Sequence, residues 1–278
     1  MGWYTMDNIK IGDIVARKSY GADIIFIVEK IIYNKKAIAI LKGITVRVLA
    51  DAYLEDLVTV NIEKVNENIK KLNNRIDKIN SSKRINKVSS LFNKKKDRNF
   101  LNTGKILHLD GDKRYAEKSS RYYKKRGLNA VVKNIKESKQ PVIIKQLIKK
   151  VQPDILVITG HDGMIKSGKN FTDISNYRNS KYFIETVKEA RKIEYSGNNL
   201  AIFAGACQSF FEAIMSAGAN FASSPGRILI DFMDPLIIAE KIATTSNDKF
   251  VTINDIEEYL RDGRKGVSGS GVRGKKQM

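Results

Sequence analysis

Leu200-Ala201-Ile202-Phe203-Ala204-Gly205-Ala206-Cys207-Gln208-Ser209 is an apolar run of strand length that ends in small residues and then presents the chain's single cysteine. Upstream, Asp154-Ile155-Leu156-Val157-Ile158-Thr159-Gly160-His161-Asp162-Gly163 repeats the design and ends in one of only two histidines. Apolar runs of this length, bounded by glycine, read as strands buried on both faces of a parallel sheet. Together they deliver a thiol and an imidazole to one edge of that sheet, where open α/β folds place their ligands.

Around these two strands, strand and helix alternate from Asn102 onward. Residues 104–110 read as a strand, 113–126 as a helix closed by Gly127, 128–132 as a strand and 140–151 as a helix with an early Pro141. A helix over 182–194, closed by Gly197, links the histidine strand to the cysteine strand. A short helix over 209–217 follows, then strands at 219–223 and 227–232 and helices near 235–244 and 253–260. From Asp262 onward the chain is rich in Gly, Ser, Lys and Arg and reads as a flexible basic tail. The rhythm predicts an α/β domain over 102–278, its mostly parallel sheet flanked by helices and linked by right-handed crossovers. The order of its two strand-end motifs, histidine before cysteine, makes the expectation caspase-like.

Residues 1–60 have a different character. Ile11-Gly12-Asp13-Ile14-Val15, Asp23-Ile24-Ile25-Phe26-Ile27-Val28, Ala37-Ile38-Ala39-Ile40-Leu41 and Thr45-Val46-Arg47-Val48-Leu49 read as short strands punctuated by Gly21, Asn34 and Gly43. Strands this short and close predict a small all-β SH3-like barrel, which binds a peptide or RNA or serves only as a docking spacer. Residues 61–101 form a basic connector. Val65, Ile69, Leu72, Ile76 and Ile79 recur at helical spacing, and the pattern then decays into Ser81-Ser82-Lys83-Arg84 and Asn93-Lys94-Lys95-Lys96-Asp97-Arg98.

The formal charge is +20 over 278 residues, enough to draw the chain to nucleic acid or another anionic partner. That charge is unevenly spread: residues 1–60 hold eight Lys/Arg against seven Asp/Glu, whereas 61–100 hold twelve against four. Any nucleic-acid contact is therefore expected through the connector. One cysteine excludes an internal disulfide framework, and no apolar run reaches membrane-spanning length. Met1 to Asp7 have neither the basic start nor the apolar stretch of a secretory signal, so no leader is expected. The expected location is the cytoplasm.

The strand ends carry the chemistry. A thiol becomes nucleophilic beside a base or a positive neighbour, and imidazole supplies either. Small residues around both groups, Gly160 and Gly163 by the histidine and Gly205 and Ala206 by the cysteine, would let a substrate backbone approach and free amides of Gly160, Gly163 and Ala206 for an oxyanion. Cys207 also has a plain alternative as an inert core residue packed on a helix. His108 lies inside its strand and reads as structural. In chain order the histidine precedes the cysteine, which matches caspase-like enzymes and excludes papain-like ones. Two histidines and one cysteine on separate strands make a poor zinc set, and no phosphate-binding glycine loop follows a strand, so no metal or cofactor is expected.

The small β module, the basic connector, Ile158-Thr159-Gly160-His161-Asp162-Gly163 and Phe203-Ala204-Gly205-Ala206-Cys207-Gln208-Ser209 together resemble the YabG family, sporulation-specific cysteine proteases of endospore-forming Firmicutes. The resemblance runs over essentially the whole chain. It implies cleavage of spore coat and cortex-associated proteins after basic residues, arginine above all, in the mother-cell cytoplasm at the forming coat. It makes Cys207 the nucleophile and His161 its partner. An arginine pocket needs a buried carboxylate, because an unpaired buried guanidinium is too costly. Gly205 stands where arginine-specific relatives often carry an acid, so Asp110, Asp112 and Asp162 are the candidates, although Asp110-Gly111-Asp112 also reads as a strand-end turn and helix cap. Basic sites at residues 83–98 are candidates for self-cleavage. The rival readings are a basic nucleic-acid-binding protein and a non-catalytic coat-assembly protein.

Overall fold

The computed structural model describes residues 9–33, 35–81, 102–165, 170–193 and 200–277. The candidate self-cleavage stretch at residues 83–98 and the expected helix-closing Gly197 lie outside them.

The first part of the chain builds a five-stranded antiparallel sheet from β1 (Ile14–Arg17), β2 (Ile25–Tyr33), β3 (Ala37–Gly43), β4 (Leu49–Tyr53) and β5 (Leu57–Thr59), in the order β4-β3-β2-β1-β5. Alternation places Val15, Phe26, Val28, Ala39 and Leu41 on one buried face. The expected barrel closure does not form among the described residues: β4 and β5 remain separate edges. The strand read at 45–49 is also displaced, since it begins only at Leu49. The residues before it form the β3–β4 hairpin loop, held closed by Gly43 N donating to Val48 O at 2.9 Å. Helix α1 (Ile62–Ser81) follows and packs Val65 against Ile25 and Ile44.

The second sheet has six strands. β6 (Ile106–Asp110), β7 (Ala130–Asn134), β8 (Ile155–Thr159), β9 (Ala201–Ala204) and β10 (Phe221–Ser223) run parallel, in the order β12-β10-β9-β8-β6-β7, with β12 (Val267–Gly269) antiparallel at the edge. Helices α2 (Lys113–Lys125), α3 (Gln140–Val151), α4 (Ser180–Arg191), α5 (Phe211–Ser216) and α6 (Asp234–Thr244) alternate with the strands. Successive strand residues serve opposite faces, which is why these strands are apolar throughout. Ile106, Ile155, Val157 and Phe203 meet Tyr122, Tyr123, Leu236 and Ile242 from α2 and α6. Leu107, Leu156, Ile158 and Ile202 meet Ile144, Ile148, Phe183 and Val187 from α3 and α4. Each such side chain contributes about 1.5–3 kcal/mol by leaving water.

Three further expectations are corrected at the C-terminal end. No strand forms over 227–232, because β12 occupies the free edge of β10 that such a strand would need. The helix read at 253–260 is a pair of 3₁₀ turns, Ile253–Asp255 and Glu257–Tyr259. The basic tail is not loose. It folds as a short helix α7 (Gly263–Gly266), then β12, then β13 (Val272–Arg273), which pairs with β11 (Phe250–Val251). Its glycines serve close approach rather than flexibility. A Cβ on Gly269 would lie 2.2 Å from Asn220 O, and Val267 beside it is fully buried.

Gly269→Ala should therefore destabilise the protein by about 1–3 kcal/mol through overpacking at the β10–β12 edge. Chemical denaturation checks this, and an unchanged midpoint would mean that the edge strand does not pack as described.

Candidate active site

Register brings the thiol and the imidazole to one level. Ile158 of β8 pairs with Ala204 of β9, and His161 and Cys207 each stand three residues further on. The turn after β9 needs its small residues: Gly205 has φ of +115°, and a Cβ there would meet Ser223 Oγ at 2.5 Å.

Cys207 is fully buried, in the cluster that also holds Val15, Leu41 and Val48 of the five-stranded sheet. Its thiol lies 3.9 Å from Ile230 O. Burial pushes the thiol pKa up to about 11, against opposing pulls from the Ile230 contact and Arg47. His161 is buried as well, and burial together with the nearby Lys42 cation lowers its pKa to about 3. Its Nε2 donates to Gly43 O at 3.3 Å, which fixes the tautomer, and Nδ1 has no partner. The His161 amide donates to Glu137 Oε1 at 2.7 Å, and Asn179 Nδ2 donates to His161 O at 2.8 Å. At neutral pH the pair is a protonated thiol and a neutral imidazole, each bonded to a backbone carbonyl rather than to the other.

Asp162 is a structural hub. Its carboxylate accepts from Gly163 N at 2.9 Å, Asn179 N at 2.8 Å, Ser180 Oγ at 2.5 Å and Ser209 Oγ at 2.9 Å, tying the β8 loop to the start of α4 and to the β9 loop. The Ala206 amide donates to Ser209 Oγ at 2.9 Å. The Gly163 and Ala206 amides are thus already engaged. Gly160 packs against Glu137, whose Oε1 would lie 2.3 Å from a Cβ at that position.

The end of β6 faces the β3–β4 hairpin with two cation–carboxylate pairs. Arg47 is only 2% exposed, and its Nη2 donates to the buried Asp110 Oδ2 at 2.7 Å. Its guanidinium lies 4.8 Å from the Tyr115 ring centre and 5.2 Å from that of Phe232. Lys42 pairs with Asp112 at 2.9 Å, and Asp112 caps α2 by accepting from Arg114 N at 2.8 Å. Burial would raise the Asp112 pKa, but Lys42, His161 and Arg114 bring it down to about 2. Asp110 is shifted upward by burial, which Arg47 only partly offsets. His108 has the structural role read for it. Tyr123 OH donates to Nδ1 at 3.0 Å, Nε2 donates to Thr159 Oγ1 at 2.8 Å, and Thr159 donates to Asp110 at 2.9 Å. A cleft of about 290 Å³ opens beside His161, lined in part by Lys42, Leu49, Glu137, Asn179 and Tyr182.

Of the expected residues, Cys207, His161 and Asp110 surround one buried seam with the hairpin, whereas Asp112 and Asp162 are committed to a helix cap and a loop network. Sequence reading missed Arg47, Lys42, Tyr115 and Glu137. Arg47 sits between two valines in an apparent strand, and no local pattern marks it for burial in another sheet. Among the described residues no group of three or more His, Cys, Asp or Glu is placed to hold a metal ion, and no helix is long and apolar enough to cross a membrane.

A family model described as YabG peptidase U57 matches residues 10–278. The chain is 41% identical over 280 residues to the sporulation-specific protease YabG of Bacillus subtilis (strain 168), covering 96% of each chain. No solved structure matches. The protein is therefore a protease. It belongs to the YabG family of sporulation proteases.

With the thiol pKa near 11, Cys207 stays protonated at neutral pH. Its alkylation by iodoacetamide should accelerate about tenfold per pH unit from pH 7 to 10, as the thiolate fraction grows. Mass spectrometry follows this at a single cysteine, and a rate already flat below pH 8 would reveal a resting thiolate–imidazolium pair instead.

Proposed function

We propose that the protein is a cysteine endopeptidase that cleaves after arginine, with Cys207 as nucleophile and His161 as proton carrier. The observation that carries this reading is the β8–β9 register, which sets both groups at adjacent strand ends beside a buried carboxylate. In the reaction, His161 takes the thiol proton as sulfur attacks the carbonyl carbon of the scissile bond. The C–N bond then breaks, His161 passes the proton to the leaving amine, and a thioester remains. Water clears the thioester, giving a free carboxylate and restoring the thiol. The oxyanion forms near Gly160, Gly163 and Ala206, where it competes with Ser209 for the Ala206 amide.

Asp110 is the specificity carboxylate in this reading. It is buried, it already faces a guanidinium, and Tyr115 and Phe232 supply flat walls for a planar cation. Asp112 and Asp162 are spent on other partners.

A strand order of β7-β6-β8-β9-β10 with an antiparallel sixth strand supports a caspase-like protease domain over 102–278. A five-stranded meander whose last strand returns to the first supports an SH3-like origin for residues 1–60, joined by the connector at 61–101. Spore coat and cortex proteins as substrates, and the mother-cell side of the forming coat as the place of action, fit the sporulation-specific protease that the chain resembles.

Peptides that differ only at the residue before the cut test the proposal. The wild-type chain should hydrolyse the arginyl member and Cys207→Ala should not. Asp110→Asn should lower the arginine-over-neutral selectivity at least thirtyfold, since a buried charge pair is worth about 2 kcal/mol or more. Full activity in Cys207→Ala would remove the thiol from the mechanism, and unchanged selectivity in Asp110→Asn would remove that carboxylate from the pocket.

A further inference from the structure

The β3–β4 hairpin has three features of a bound peptide substrate. Its backbone pairs with the segment just after His161: Leu49 N donates to Asp162 O at 2.7 Å, and Asp162 N donates to Arg47 O at 3.3 Å. These bonds surround the isolated parallel bridge between Val48 and Asp162. One side chain, Arg47, leaves the hairpin and enters the aromatic-walled pocket that ends at Asp110. The residue after it, Val48, lies in the same buried cluster as Cys207, so the hairpin also closes over the thiol.

The approach depends on Gly163, because a Cβ there would stand 2.0 Å from Leu49 O. The small residue that admits a peptide backbone beside the histidine is thus filled by the chain's own hairpin. Tyr115 OH donates to Ile44 O at 3.4 Å, Gly43 O holds the His161 ring, and Lys42 pairs with Asp112, so the whole loop lies across the site. The fit of Arg47 is incomplete. Its Nε and Nη1 are buried without partners, so a substrate guanidinium that satisfies them has an advantage over the internal one.

We propose that the hairpin over residues 42–49 is an internal substrate mimic, with Arg47 occupying the subsite that takes the arginine of a protein substrate. The resting chain is closed to substrate until the hairpin withdraws. Opening also frees His161 from Gly43 O, so that imidazole can turn to the thiol. This inference rests on the arginine-specific protease reading above.

The test uses the full chain and a probe that needs no turnover. N-acetyl-arginine amide is titrated by calorimetry into Cys207→Ala and into Cys207→Ala combined with Arg47→Met, which keeps the apolar stem against Tyr115 and Phe232. The Arg47→Met chain should bind the probe at least tenfold more tightly, and adding Asp110→Asn should abolish that binding. In chains that retain Cys207, Arg47→Met should lower KM for arginyl peptides several-fold with little change in kcat. Arg47→Lys, which keeps a cation opposite Asp110 for folding but loses the fork, should fall between. Equal or weaker probe binding in both Arg47 variants, with folding verified by thermal melting, would overturn the proposal and leave Arg47 as a structural tie. Loss of cleavage of the arginyl peptides alongside the expected binding would instead count against the arginine-cleaving cysteine mechanism alone, since the binding arm runs without the thiol.

Discussion

A guanidinium and a carboxylate, both removed from water and 2.7 Å apart, hold the two sheets in their present relation. Each charge alone would be expensive to bury, and deleting one partner of such a pair typically costs about 3–5 kcal/mol. Asp110 sits at the end of β6 in a chain of hydrogen bonds through Thr159, His108 and Tyr123, which gives the carboxylate one position. Arg47 has to come to it. The hairpin that carries Arg47 is consequently drawn over the β8 and β9 strand ends, and the burial of Cys207 and His161 follows from that.

Burial in turn sets the chemistry of the resting pair. Desolvation favours the neutral form of both groups, raising the thiol pKa and lowering that of the imidazole. Lys42 reinforces the effect on His161, because a second cation beside imidazole disfavours protonation. A thiolate–imidazolium pair would reverse both preferences, and water or a substrate in place of the hairpin is what would make it affordable. In the proposed mechanism, latency and accessibility are therefore coupled through one loop.

Glycine carries two different meanings in this chain. At Gly163 and Gly269 the absent Cβ makes room for another backbone, Leu49 O in one case and Asn220 O in the other. At Gly205 a positive φ turns the chain after β9 so that Cys207 follows the strand. The basic, glycine-rich C-terminal stretch reads as a tail for the same reason that it is not one. Composition shows the missing side chains, whereas the neighbours that need the space come from elsewhere in the chain.

The sequence by itself determined the alternating strands and helices, the parallel sheet and the two strand ends that carry His161 and Cys207, because burial on both faces imposes an apolar run that any reader can see. Family membership, too, was legible in those motifs. The same local patterns misplaced the strand at 45–49, predicted one at 227–232 that does not form, and expected a barrel that stays open. Only the tertiary structure decided that Arg47 leaves its own sheet for Asp110, that the Asp162 carboxylate ties the β8 loop to α4 and the β9 loop, and that the tail supplies an edge strand. These outcomes depend on which distant partner satisfies a charge, a strand edge or a vacant volume, and such pairings leave no period in the local sequence.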